Sequence, residues 1–175
     1  SVRLSADRLV IPKDVLYLAG CVLYVAGMAF ENSTVATVLP ESLFTFIKVI
    51  ALVLLCAAAL IPRETPVWYL GLTAALLCFS AYLYKSSTST LPMFFISMSF
   101  GSYGVGRKKT FSAIALTITV SAAAIVLLAA TGLIPNIIRT NNYGLLKYDM
   151  GFGYGSQPSL YIETVTICTI LASDG

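Results

Sequence analysis

The sequence predicts an all-α fold: a polytopic transmembrane helical bundle of five to six spans, with a Gly/Tyr-rich external loop. Three observations lead there. Hydrophobic residues fill 58% of the 175 positions and charged residues 11%, whereas a soluble domain holds about 45–50% and about 25%. The mean hydropathy is +0.86. Apolar runs close to membrane length recur along the chain, and most charges fall in the links between them.

The first run, Val15–Phe30, follows Arg3, Arg8 and Lys13. A leader peptide also starts with cations, but no A-x-A cleavage pattern follows and further apolar runs do, so the run reads as a span. The second, Leu43–Ile61, carries Lys48 near its start. Its ammonium either snorkels to the interface or faces a polar cavity within the bundle. The third covers 67–84 and leads into the Ser/Thr-rich link KSSTST. The fourth, 91–105, is short for a span. The fifth, 111–134, sets Thr117, Thr119 and Ser121 among alanines. Such residues let helices approach closely and offer hydroxyls across the contact. Pro135 is expected to end it. A partial sixth span covers 159–172, with Glu163 near its start as an interfacial carboxylate.

Charge sets the expected orientation. Arg3, Arg8, Lys13, Arg63 and Arg107, Lys108 and Lys109 fall in one set of alternate links; Lys85, Arg139 and Lys147 fall in the other. The basic excess predicts a cytoplasmic N-terminus and an outside loop at 135–158. Tyr17, Trp68, Tyr69, Tyr84 and Tyr103 lie near the expected boundaries, where rings either sit among headgroups or pack on neighbours.

Several function classes drop out. The net charge of +3 is small and dispersed, which argues against a nucleic-acid partner. The chain has no His, the commonest general base and metal ligand. Cys21, Cys56, Cys78 and Cys168 lie in apolar runs without zinc spacing and read as small buried hydrophobes. No metal and no cofactor are expected.

The outer loop is where chemistry concentrates. Its text is GLIPNIIRTNNYGLLKYDMGFGYGSQPSLYIE. Gly144, Gly151, Gly153 and Gly155 permit sharp turns or close approach of a ligand. Tyr143, Tyr148, Phe152 and Tyr154 supply flat faces on which a sugar could stack. Arg139 and Lys147 supply positive charge, Arg as a planar fork and Lys as a point charge. The set suits a phosphate-linked saccharide at the outer membrane face. A flexible re-entrant loop with interfacial tyrosines is the other reading.

From SSTSTLPMFFISMSFGSYGVGRKKTF through GLIPN and Arg139 to KYDMGFGYGSQPS, the chain resembles the polysaccharide polymerase and O-antigen ligase superfamily, multi-pass membrane glycosyltransferases. The family's pattern at the last stretch reads like R-Y-S-L-G-F-x-H-P-N. Lys147 stands at the Arg position and Tyr148 at the Tyr; Met150, Gly151 and Phe152 match L-G-F. Tyr154 stands where His is expected, and a phenol is a poor base near neutrality. Gly155 and Ser156 replace Pro and Asn.

The resemblance implies an enzyme that polymerises oligosaccharide repeats carried on a polyprenyl diphosphate, in capsule, exopolysaccharide or O-antigen synthesis. It implies a bacterial plasma membrane, with membrane lipid and other polysaccharide-assembly proteins as partners. Arg139 and Lys147 would be the catalytic cations that stabilise the departing diphosphate. Tyr148, Asp149, Gly151, Phe152 and Tyr154 would bind substrate, with Asp149 either orienting or deprotonating the acceptor hydroxyl or standing as a solvated loop acid. Residues 1–175 would form one transmembrane domain, the front part of a longer enzyme. The alternatives are a ligase of the same superfamily, a transporter or permease subunit that uses Lys48, and an inactive truncated polymerase.

Overall fold

The computed structural model describes residues 12–60, 68, 71–72, 74–76, 78–79, 81–82, 91–102, 104–140, 146–153 and 157–173. Helix dominates. α1 spans Lys13–Glu31, α2 Glu41–Leu60, α3 Leu91–Gly101, α4 Arg107–Ala130 and α5 Gln157–Ser173. The described residues between 68 and 82 are helical as well. Among the described residues, three helices are long and apolar enough to cross a membrane: Lys13–Glu31, Glu41–Ala59 and Arg107–Ala130. α3 and α5 are apolar but shorter. Outward positions are apolar too: Phe46, Val53, Leu116 and Leu127 are all exposed. A soluble helix keeps its outer face polar; helices apolar all round belong in lipid or a large core.

The second expected span agrees with α2 to within two residues. The fifth does not. α4 begins one turn early, because Arg107, Lys108 and Lys109 form its first turn rather than a loop. It also ends before Pro135. Gly132 takes φ +76, its N–H bonds Ala129 O at 3.2 Å, and Leu133 N bonds Leu128 O at 3.0 Å. That is a Schellman stop, which needs a residue tolerant of positive φ. The fourth run is cut at Gly101, leaving an 11-residue helix. The third span lies only partly within the described residues, and Tyr69, Tyr84 and Tyr103 lie outside them.

α1 packs on α2 through small residues. A Cβ on Gly20 would meet Leu55 Cγ at 2.7 Å and Ala51 O at 3.0 Å, so the backbones touch only because Gly20 has none. Without a hydrophobic force between helices in lipid, such close van der Waals packing is what holds a bundle. Tyr17, Cys21, Tyr24, Ala51, Leu55 and Phe94 form the core joining α1, α2 and α3, with Tyr24 stacked on Phe94 at 3.9 Å between centroids. Tyr17 is therefore fully buried rather than interfacial. Cys21 and Cys168 are buried as expected; Cys56 is partly buried and Cys78 is exposed on its helix. Thr117 and Thr119 donate to Ala113 O and Ala115 O of their own helix, at 2.7 and 2.8 Å, and not across a contact.

Between α4 and α5 the chain forms a short antiparallel hairpin, β1 (Ile138–Thr140) and β2 (Leu146–Tyr148). These six residues are the strand residues among those described, and the all-α expectation did not include them.

Candidate functional site

The sequence D-M-G-F folds into the piece that ties the hairpin to the bundle. Phe152 N donates to Asp149 O at 3.0 Å. The two central residues both have positive φ, 51 at Met150 and 88 at Gly151, the signature of a type I′ turn. Gly151 is required twice over. Besides its φ, a Cβ there would meet Ile125 Cγ2 and Ile134 Cδ1 at 3.0 Å.

Asp149 organises this turn. Its backbone N–H donates to Ile137 O at 3.2 Å. In a regular ladder Ile137 N–H would return the bond to Asp149 O. It donates instead to Asp149 Oδ1 at 3.0 Å, and Gly151 N donates to the same oxygen at 3.0 Å. The carboxylate thus replaces its own carbonyl, which is left to close the turn. Asn136 Oδ1 adds an acceptor for Met150 N at 3.0 Å. Asp149 is not a solvated loop acid. It is 2% exposed, and its Oδ2 has no hydrogen-bond partner among the described residues.

The turn is anchored to the first inter-helix link. Ser33 caps a 3-10 turn, Thr34–Thr37, by accepting from Val35 N at 3.2 Å. Thr34 then donates to Gly151 O from its backbone N at 2.7 Å and from Oγ1 at 3.0 Å. Phe152 is buried among Val35, Phe44, Ile125 and Ile134 and lies against Tyr161 at 5.3 Å. Tyr161 Oη donates to Ala29 O at 3.2 Å. The ends of α1 and α4, the start of α5 and the hairpin base therefore meet at one end of the bundle. Near it, Lys48 Nζ donates to Glu31 Oε1 and Oε2 at 2.6 and 2.8 Å. Neither reading of Lys48 named this partner, the last residue of α1.

The expected site residues separate into two groups. Arg139 and Lys147 occupy the same rung of the hairpin ladder, flanked by Ile138↔Tyr148 and Thr140↔Leu146. Tyr148 is exposed. Asp149, Gly151 and Phe152 form the buried base beneath them, so Phe152 is a core ring rather than an open stacking face. Tyr154 lies outside the described residues. Thr34, Asn136 and Glu31 escaped the sequence reading. Asn136, directly after Pro135, carried a turn signal; Thr34 carried none.

No protein-family model, curated protein or solved structure matches the chain.

Proposed function

We propose that the chain belongs to a bacterial plasma-membrane glycosyltransferase that polymerises polyprenyl diphosphate-linked oligosaccharide repeats. In this reading the chain contributes five to six spans with a cytoplasmic N-terminus, and the hairpin loop faces outside. The observation that carries it is the Arg139↔Lys147 rung. Directly opposed strand positions lie about 5.5 Å apart at Cα when hydrogen-bonded, a spacing at which two cations can serve one diphosphate. Like charges placed so destabilise a hairpin by themselves; an anionic ligand relieves the repulsion.

The acceptor hydroxyl oxygen attacks the anomeric carbon of the donor. The bond from that carbon to the phosphate oxygen breaks, the lipid diphosphate leaves with the electron pair, and the hydroxyl proton passes to it. Arg139 and Lys147 stabilise the charge that builds on the leaving group, an effect strongest where water is scarce. Tyr148 sits on the next rung, opposite Ile138, and strand alternation turns its exposed ring to the other face of the ladder.

The transport reading rests on Lys48 as a charged residue within a span. The structure pairs that residue with Glu31 at the end of α1.

Arg139→Ala in the full-length parent should abolish growth of polymer while single repeats persist, read as a ladder on a polysaccharide gel. Arg139→Lys should restore part of it, because one point charge replaces the fork. Unchanged chain length in Arg139→Ala overturns the reading.

A further inference from the structure

The hairpin cannot hold its own position. Its strands, Ile138–Thr140 and Leu146–Tyr148, have three residues each, and a lone two-stranded hairpin is marginally stable in water. Like charges at Arg139 and Lys147, directly opposed, weaken it further. What fixes the rung in space lies beneath it.

A run of hydrogen bonds leads from the strands down to α1. Ile137, directly before β1, donates from its N–H to Asp149 Oδ1 at 3.0 Å. Gly151 N donates to the same oxygen at 3.0 Å. Gly151 O then accepts twice from Thr34, from the backbone N–H at 2.7 Å and from Oγ1 at 3.0 Å. Thr34 is 2% exposed, so bulk water does not compete for either bond. Thr34 is itself held to the end of α1. Thr37 Oγ1 donates to Thr34 O at 2.7 Å, Ser33 Oγ to Phe30 O at 2.7 Å, and Asn32 Nδ2 to Met28 O at 2.9 Å. Glu31, the last residue of α1, is tied to Lys48 of α2.

We infer that Thr34 is a positioning residue for the Arg139↔Lys147 rung: its hydroxyl locks the hairpin base to the end of α1 and so sets where the two cations stand. One donor lets the Gly151 carbonyl pivot; a second donor on the same oxygen removes that freedom. Thr34 touches no reacting atom and acts through Gly151 and Asp149. The coupling is independent of what the hairpin binds. Its catalytic consequence rests on the polymerase reading, in which a misplacement of about 1 Å can cost about 100-fold in rate.

Two substitutions part the hydroxyl from the rest of the side chain. A Cβ on Gly153 would meet Thr34 Cγ2 at 3.9 Å, so the methyl group packs beside that turn. Thr34→Val keeps the methyl and the branched shape, and leaves Gly151 O its backbone donor, so no buried polar group is stranded. Thr34→Ser keeps the hydroxyl and drops the methyl.

Amide hydrogen exchange of the full chain in micelles reads the coupling, and polymer growth in cells carrying the full-length parent reads its consequence. In Thr34→Val the amides of β1 and β2 should exchange about fivefold faster, the size expected for one neutral hydrogen bond, while those of α1 and α4 keep wild-type rates. Polymer growth should slow several-fold. Thr34→Ser should restore both. Wild-type exchange in the hairpin of Thr34→Val, or equal defects in the two variants, overturns the inference. So does normal polymer growth in Thr34→Val where Arg139→Ala abolishes it. Unchanged polymer in Arg139→Ala sinks the polymerase reading instead, and the exchange rates then decide by themselves whether Thr34 holds the rung.

Discussion

The two carboxylate oxygens of Asp149 stand differently. Oδ1 accepts from Ile137 N and Gly151 N, and so holds the hairpin base and the turn together. Oδ2 is buried without a partner among the described residues. Two substitutions separate the oxygens. Asp149→Ala strands both N–H groups, and a buried donor left unpaired costs about 1–3 kcal/mol. It should lower Tm and loosen the rung above. Asp149→Asn keeps an acceptor oxygen at the same place, and Asn and Asp serve about equally well in such capping roles. It should fold with a stability change under about 1 kcal/mol. If Asp149 also meets the acceptor hydroxyl, Asp149→Asn will form little polymer at near-normal Tm. Equal polymer from Asp149→Asn and wild type confines Asp149 to the turn. The residue pattern behind this was partly legible: D-x-G is an Asx-turn signal with a residue fit for positive φ. Its burial was not, because that depends on Ile125, Ile134 and Thr34, none of them near in sequence.

Between elements, the charge pair Lys48–Glu31 and the small-residue seam at Gly20 hold α1 against α2 by different means. The seam is dispersion at contact distance. The pair is electrostatic, with side chains 11% and 25% exposed, and removing one partner leaves the other charge poorly solvated. Lys48→Leu should cost about 2 kcal/mol, less than a fully buried pair because part of Glu31 reaches solvent. Adding Glu31→Leu should recover most of that loss, since replacing both charges by apolar groups is often neutral. Denaturant unfolding of the two variants in micelles measures it; a double variant as unstable as the single one would mean that Glu31 has another duty. Element existence was largely readable from apolar runs, and element ends were not. Charge marks where lipid stops, not where helix stops, so Arg107, Lys108 and Lys109 were read as a link although they open α4. Apolar composition likewise said nothing of the break at Gly101. The hairpin gave no signal at all: IRT and LKY are too short to alternate, and nothing in the linear order says that Arg139 pairs with Lys147.

At the scale of the whole molecule, the two basic features lie at opposite ends of one rod. α4 has 24 residues, about 36 Å at 1.5 Å per residue, against about 30 Å of bilayer hydrocarbon. The Lys109–Asp14 contact puts its start beside the start of α1. The Thr34–Gly151 bonds put the hairpin that follows it beside the end of α1. α1 and α4 therefore run parallel, and a membrane that they cross separates the Arg107 end from the Arg139 end. The polymerase reading needs the Arg139 end outside, where the lipid-linked donor would be presented; by the positive-inside rule the charge bias favours the Arg107 end inside. Both demands are met by one orientation and violated together by the other. Leu146 and Lys108 are exposed and can report on it. With the four native cysteines replaced by alanine, Leu146→Cys should react with a membrane-impermeant thiol reagent in intact cells. Lys108→Cys should react only after permeabilisation. The reverse pattern removes the donor from the hairpin and ends the polymerase proposal.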